Sequence, residues 1–197
     1  MRELVNKSRW DEILSVAARL FREKGYRATT MEDIASELRV TKPALYYYID
    51  TKHDLLYAIC EAAIERLMEG AKKIMEEPGT VEERLRRLIA WHVSMFSAHG
   101  DVIAVYLAEE SELPEEKRKF IRSLSRDYES FYRELMEEGV REGRFRELDV
   151  PMAVRAISGM CNWLSVWFRP RGKYTAEEVA DIFCDLFLHG CAAAERR

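Results

Sequence analysis

The stretch Thr30–Leu56, TMEDIASELRVTKPALYYYIDTKHDLL, predicts two short helices joined by a tight turn and followed at once by a third. Thr30 stands where a helix N-cap belongs. Asp33 lies three residues on, as in a capping box, and Ile34, Ala35 and Leu38 form an apolar stripe behind it. A second start follows. Thr41 is able to accept a hydrogen bond from the unpaired N–H groups of a new helix, and Pro43 is tolerated in a first turn because its missing N–H has no intrahelical partner there. Only Arg39 and Val40 separate the two helices. Leu45 and Ile49, four apart, share a face for packing, which leaves Lys42, Ala44, Tyr46 and Tyr47 mostly on other faces.

A helix that exposes its N-terminal residues next to polar and phenolic groups is suited to the major groove of DNA, where the first turn meets base edges and nearby side chains hold phosphates. On this reading Thr41, Lys42, Pro43 and Ala44 face bases, and Thr30, Tyr46, Tyr47 and Lys52 hold phosphates. Tyr48 is a further contact residue, although it lies beside Leu45 and Ile49 on the helical wheel. The competing assignment is that the tyrosines cover the next helix, but three consecutive residues do not share one face. Lys52 has its own alternative, a solvated surface lysine.

Upstream, Ile13, Ala17, Leu20 and Phe21 make an apolar stripe of helical spacing, and Gly25 supplies the left-handed residue that ends such a helix. The basic Arg2, Lys7 and Arg9 ahead of it could reach the DNA backbone or form a frayed terminus. The chain carries a net charge of −4, but residues 1–55 hold ten Lys and Arg against nine Asp and Glu. A head this near neutrality rests its affinity on a few placed phosphate contacts and on two copies acting together, with a moderate salt dependence per monomer.

The combination of Phe21, Gly25 and Tyr26, then T-T-M-E-D-I-A over Thr29–Ala35, then V-T-K-P-A-L-Y-Y-Y-I over Val40–Ile49, then K-x-D-L-L over Lys52–Leu56 resembles the tetracycline-repressor (TetR) family of transcriptional regulators. The match covers about the first 55 residues, with Ile49 where the family usually has Phe; the substitution keeps an apolar plug. The resemblance implies an N-terminal three-helix DNA-binding domain, and a C-terminal domain that dimerises through its last two helices and holds a small molecule inside.

The remaining length, in a chain of 197 residues that is 48% hydrophobic, is enough for a second domain with its own core. The expected division is 1–52 for the DNA-binding head and 53–197 for a ligand-binding and dimerisation body. Nothing resembles a signal peptide and no stretch reaches the length of apolar sequence that a membrane span needs, so a cytoplasmic protein is expected. Cys60, Cys161, Cys184 and Cys191 lie on apolar helical patterns without metal-ligand spacing and read as buried thiols. Pro and Gly divide the body into expected helices at 53–76, 81–98, 101–111, 115–142, 150–168 and 175–194, nine with the head, in an all-α chain without strand-like alternation. The helix from His53 joins head to body, so a shift in the body's packing could move the reading helix.

The last two helices are apolar enough to need a cover, which a four-helix contact between two copies of the chain would supply, with burial in one copy's own core the competing assignment for some of these residues. A ligand site is expected among Trp91, His92, Met95, Phe96, Tyr106, Tyr128, Phe131, Tyr132, Met160, Asn162 and Trp163, where apolar and aromatic residues mix with few polar ones. For each of these alone, an ordinary core position is the competing assignment. Residues Gly159–Gly190 are similar to the corresponding part of TetR-family regulators of fatty-acid and sterol breakdown that sense acyl-coenzyme A thioesters. That similarity implies that Trp163 and Trp167 border the ligand tunnel, with Arg169, Arg171 and Lys173 offering charge to coenzyme A phosphates, unless R-P-R-G-K is only a solvated loop. It also implies a repressor of lipid-degradation genes, released from a palindromic operator by its effector. A drug-like effector and control of multidrug efflux is the alternative, and a helical protein-interaction module a more distant one. No Gly-rich phosphate loop, G-x-S-x-G elbow or H-E-x-x-H pair is present, and the four histidines are scattered, so no enzymatic activity is expected.

Overall fold

The computed structural model describes residues 2–191, with side chains from 8 to 190. Among these the fold is all-α: α1 (Arg2–Lys24), α2 (Met31–Glu37), α3 (Lys42–Tyr46), α4 (Lys52–Glu76), α5 (Val81–Glu109), α6 (Glu115–Arg141), α7 (Val150–Asn162), α8 (Leu164–Trp167) and α9 (Ala176–Cys191), with a 3-10 turn at Glu110–Glu112. The side chains of Arg2, Lys7 and Cys191 lie outside the described residues.

Threonine three residues ahead of an acid starts four of these helices. At α2, the Asp33 N–H donates to Thr30 Oγ1 (3.1 Å) and the Thr30 N–H to Asp33 Oδ2 (2.8 Å). Thr80 with Glu83 and Thr175 with Glu178 make the same reciprocal pair at α5 and α9. At α4 the Asp54 N–H donates to Thr51 Oγ1, 3.0 Å, and that hydroxyl donates back to the carboxylate. Each box satisfies donors that a helix leaves unpaired at its start.

The break anticipated between 81–98 and 101–111 is present as a kink at His99 (φ −138°, ψ 32°), next to Gly100, within the segment labelled α5 as a whole. One expected boundary differs. The helix anticipated at 150–168 is interrupted at Trp163, where the Val166 N–H bonds back three residues instead of four, giving α7 and α8.

The chain packs as two compact units. Met1–Ala63 with His99–Ile121 form the first; Ile64–Ala98 with Arg122–Arg197 form the second. The first thus holds the three-helix head together with the start of α4 and the segment 99–121. Its core is built on Ile13, Phe21, Ile34, Leu45, Leu55, Leu56 and Ile59, all essentially inaccessible. Burying each such side chain contributes roughly 1.5–3 kcal/mol. Within this unit Arg27 clamps Glu112 through both carboxylate oxygens, Arg22 pairs with Asp101 at 2.7 Å, and Lys117 pairs with Asp54.

In the second unit the inward face of α7 and α8 is Val154, Ile157, Cys161, Leu164 and Phe168, spaced alternately by three and four, against Val179, Ala180, Cys184 and Phe187 of α9. Cys60, Cys161 and Cys184 are free and buried, as their sequence setting indicates, and burial raises each thiol's pKa. One expectation is corrected. The span Val81–Glu112 is long and apolar enough to cross a membrane by length and composition alone. Its apolar residues are core instead: Leu85, Leu88, Ile89, Val93 and Phe96 are buried in the second unit, and Val102, Ile103 and Val105 in the first.

Candidate functional site

The turn between α2 and α3 is made by Arg39 at φ +54°, the sole non-glycine with positive φ among the described residues. Its N–H reaches Ser36 O and the next N–H reaches Ala35 O, so α2 stops abruptly and Thr41 caps α3 at once. Thr41 Oγ1 accepts from the Ala44 N–H at 3.3 Å, and Pro43 occupies the first turn. Leu45 is the plug that anchors this short helix to the core, while Thr41, Lys42, Pro43 and Ala44 stay exposed around it.

Tyr47 is 86% exposed and Tyr46 40%, whereas Tyr48 is half-buried with its ring edge-on to Tyr47, centroids 5.5 Å apart. Lys42 Nζ lies 3.5 Å from Glu32, both well exposed, a pairing weak enough for a phosphate to replace. Thr30 is engaged with Asp33 through its hydroxyl. Lys52 is placed differently from its expected role. Its ammonium donates to the carbonyls of Tyr26, Arg27 and Thr29 at 2.9–3.3 Å and sits 4.5 Å above the Tyr26 ring. With three donors on the main chain it ties the α1–α2 turn to the start of α4, assisted by buried Thr29, whose hydroxyl donates to Gly25 O.

The residues expected to line one ligand site separate into several places. An aromatic cluster joins buried His92 and Phe96 of α5 with buried Tyr128 and Tyr132 and half-buried Phe131 of α6. His92 meets Tyr128 edge to face at 5.4 Å and stacks on Phe96 at 6.1 Å. Burial depresses the His92 pKa to about 4, so the ring is neutral, with Asn162 of α7 favouring the charged form more weakly. Burial raises both tyrosine pKa values, so both phenols stay protonated. Met95 is buried. Trp91 turns toward α4 instead, its indole N–H donating to Leu67 O at 3.0 Å and its ring lying on Gly70. Tyr106 belongs to the other compact unit.

Trp163 and Trp167 do not border an interior. They are 62% and 40% exposed, because the alternating inward positions of α7 and α8 are taken by Val154, Ile157, Cys161, Leu164 and Phe168. With Met152, Val166, Ile182 and Leu186 they make an exposed apolar face on α7, α8 and α9, and Met160 lines a groove of about 370 Å³ there with Met152, Ala156, Leu186 and Phe187. Arg169 is exposed and donates to Phe168 O at 2.8 Å, and Arg171 and Lys173 are exposed in the same loop. Among the described residues no cluster of metal-ligating side chains occurs.

The family model for bacterial regulatory proteins of the tetR family matches residues 13–59, and the tetracyclin repressor-like C-terminal domain matches residues 78–191. The HTH-type transcriptional repressor KstR2 of Rhodococcus jostii is 29% identical over 185 residues, covering 92% of this chain and 90% of that protein. Among solved structures, the TetR family transcriptional regulator PfmR from Thermus thermophilus is 38% identical with a TM-score of 0.85, covering 93% of this chain and 99% of that one. AibR in complex with isovaleryl coenzyme A and operator DNA is 29% identical with a TM-score of 0.82, covering 90% and 97%. A capped helix-turn-helix head, an all-helical body and matches over both place this chain in the TetR family as a DNA-binding transcriptional regulator and not an enzyme.

Proposed function

We propose that this regulator is a cytoplasmic repressor that binds a palindromic operator as a homodimer and is released by an acyl-coenzyme A thioester, controlling genes of lipid degradation. The observation that carries the effector class is the likeness, over nearly the whole chain, to AibR, which has been captured with both isovaleryl coenzyme A and operator DNA. In the reading proposed, Thr41, Lys42, Pro43 and Ala44 meet base edges, and Thr30, Tyr46 and Tyr47 reach phosphates, with Tyr48 bracing Tyr47. Lys52 is left out because its donors are engaged inside the head.

The exposed face of Met152, Trp163, Val166, Trp167, Ile182 and Leu186 is the dimer contact, since an apolar surface of this kind calls for a partner and a symmetric contact yields two heads for two half-sites. The acyl chain enters the second unit beside His92, Phe96, Tyr128 and Phe131, and Arg169, Arg171 and Lys173 attract the coenzyme's phosphates. Because α4, α5 and α6 each run through both units, a ligand that prefers one packing of the second unit biases the first. A preference on the order of 1–3 kcal/mol is enough for regulation. Fluorescence anisotropy on DNA flanking the chain's own gene, with added acyl-CoAs of increasing length, tests this: release by thioesters and not by free coenzyme A is expected. Specific binding that no thioester weakens would overturn the effector assignment.

A further inference from the structure

The buried cluster of the second unit contains two polar atoms with no hydrogen-bond partner, His92 Nε2 and the Tyr128 hydroxyl, although both side chains are at least 95% buried. Asn162 comes near the imidazole, and Tyr132 near the Tyr128 oxygen on its accepting side, in neither case with hydrogen-bond geometry at these atoms. Buried polar groups in native proteins are nearly always paired, so two orphans on rings that touch each other point to a missing partner. The surrounding bonds say which kind. The Tyr132 hydroxyl donates to Leu88 O at 3.3 Å, so toward His92 it accepts, and the Nδ1 atom 3.3 Å away carries the ring's proton. Nε2 is therefore a bare acceptor, and the Tyr128 O–H is an unused donor.

We propose that His92 and Tyr128 form the polar end of the effector site and recognise a hydroxyl on an otherwise apolar effector, its O–H donating to His92 Nε2 and its oxygen accepting from Tyr128. A ketone would satisfy Tyr128 alone. A carboxylate has no proton to give Nε2 and would bury a charge beside Phe96 and Phe131. The inference rests on the reading that the second unit holds the effector, and it adds the functional group selected there.

Titration calorimetry on the full chain separates the two claims. The probes are a 3-hydroxyacyl-CoA against the saturated acyl-CoA of equal length, and the matching pair of free acids. The hydroxylated member is expected to bind about tenfold more tightly, and Tyr128→Phe to erase that preference. Equal affinities, or a preference that survives Tyr128→Phe, would overturn the proposal. A measurement without ligand decides it independently: removing an unpaired hydroxyl raises the thermal midpoint of the Tyr128→Phe protein, whereas a fall in the midpoint shows the hydroxyl already satisfied and refutes the site. If no thioester binds, the acyl-CoA reading fails alone, and the free acids and the midpoint still judge the hydroxyl site.

Discussion

Arg39 shows how a single residue sets the reading helix. A left-handed backbone costs an L-residue roughly 1–2 kcal/mol, which the head tolerates because the turn between α2 and α3 requires it. Replacing Arg39 with β-branched Val should lower stability by about 1–2 kcal/mol in urea denaturation, and Arg39→Gly should be close to neutral, since relief of strain is offset by a freer unfolded chain. His92 gives the molecule a pH dependence. Its imidazole titrates at 6.5 when unfolded and near 4 when folded, so stability is complete above about pH 6.5. It is lost as the pH falls toward 4, by up to ~1.4 kcal/mol per unit. His92→Gln should flatten that limb of a stability–pH profile. Asp33, held below its ordinary range by Lys24 and Thr30, contributes its own loss only at more acidic pH.

At the scale of elements, the helix starts were open to reading because capping chemistry is local. Thr30 with Asp33, and Thr41 with Pro43, sit within one turn of what they fix, and the structure has both caps. The same threonine-acid spacing at Thr51, Thr80 and Thr175 carried an equally direct signal. What depends on packing between distant segments was less accessible. Lys52 looks like a phosphate ligand until carbonyls from residues 26–29 are brought beneath it, and Trp163 and Trp167 look like tunnel walls until the inward register of α7 and α8 is known. Gly70 is another case. A Cβ there would stand 2.0 Å from the Trp91 ring, so α4 approaches α5 closely only through this glycine. Gly70→Ala should therefore displace the indole, shift Trp fluorescence and cost about 1–3 kcal/mol, more than its gain in helix propensity recovers.

For the whole molecule, the near balance of charge over the head makes paired heads essential, because one copy has few phosphate contacts to spend. In the proposed dimer the exposed apolar face on α7, α8 and α9 is then as important to operator binding as α3 itself. Leu186, 66% exposed on α9, belongs to that face, and Leu186→Arg should give monomers in light scattering with sharply weaker operator affinity. Whether the α3 face reads a two-fold operator is decided by anisotropy titration of wild-type, Lys42→Ala and Tyr47→Ala proteins on the same specific DNA. Two subunits per site for the wild type and at least several-fold weaker binding by both variants, with their dimers intact, is the expected result. Unchanged affinity in both variants, or no specific site for the wild type, would contradict it.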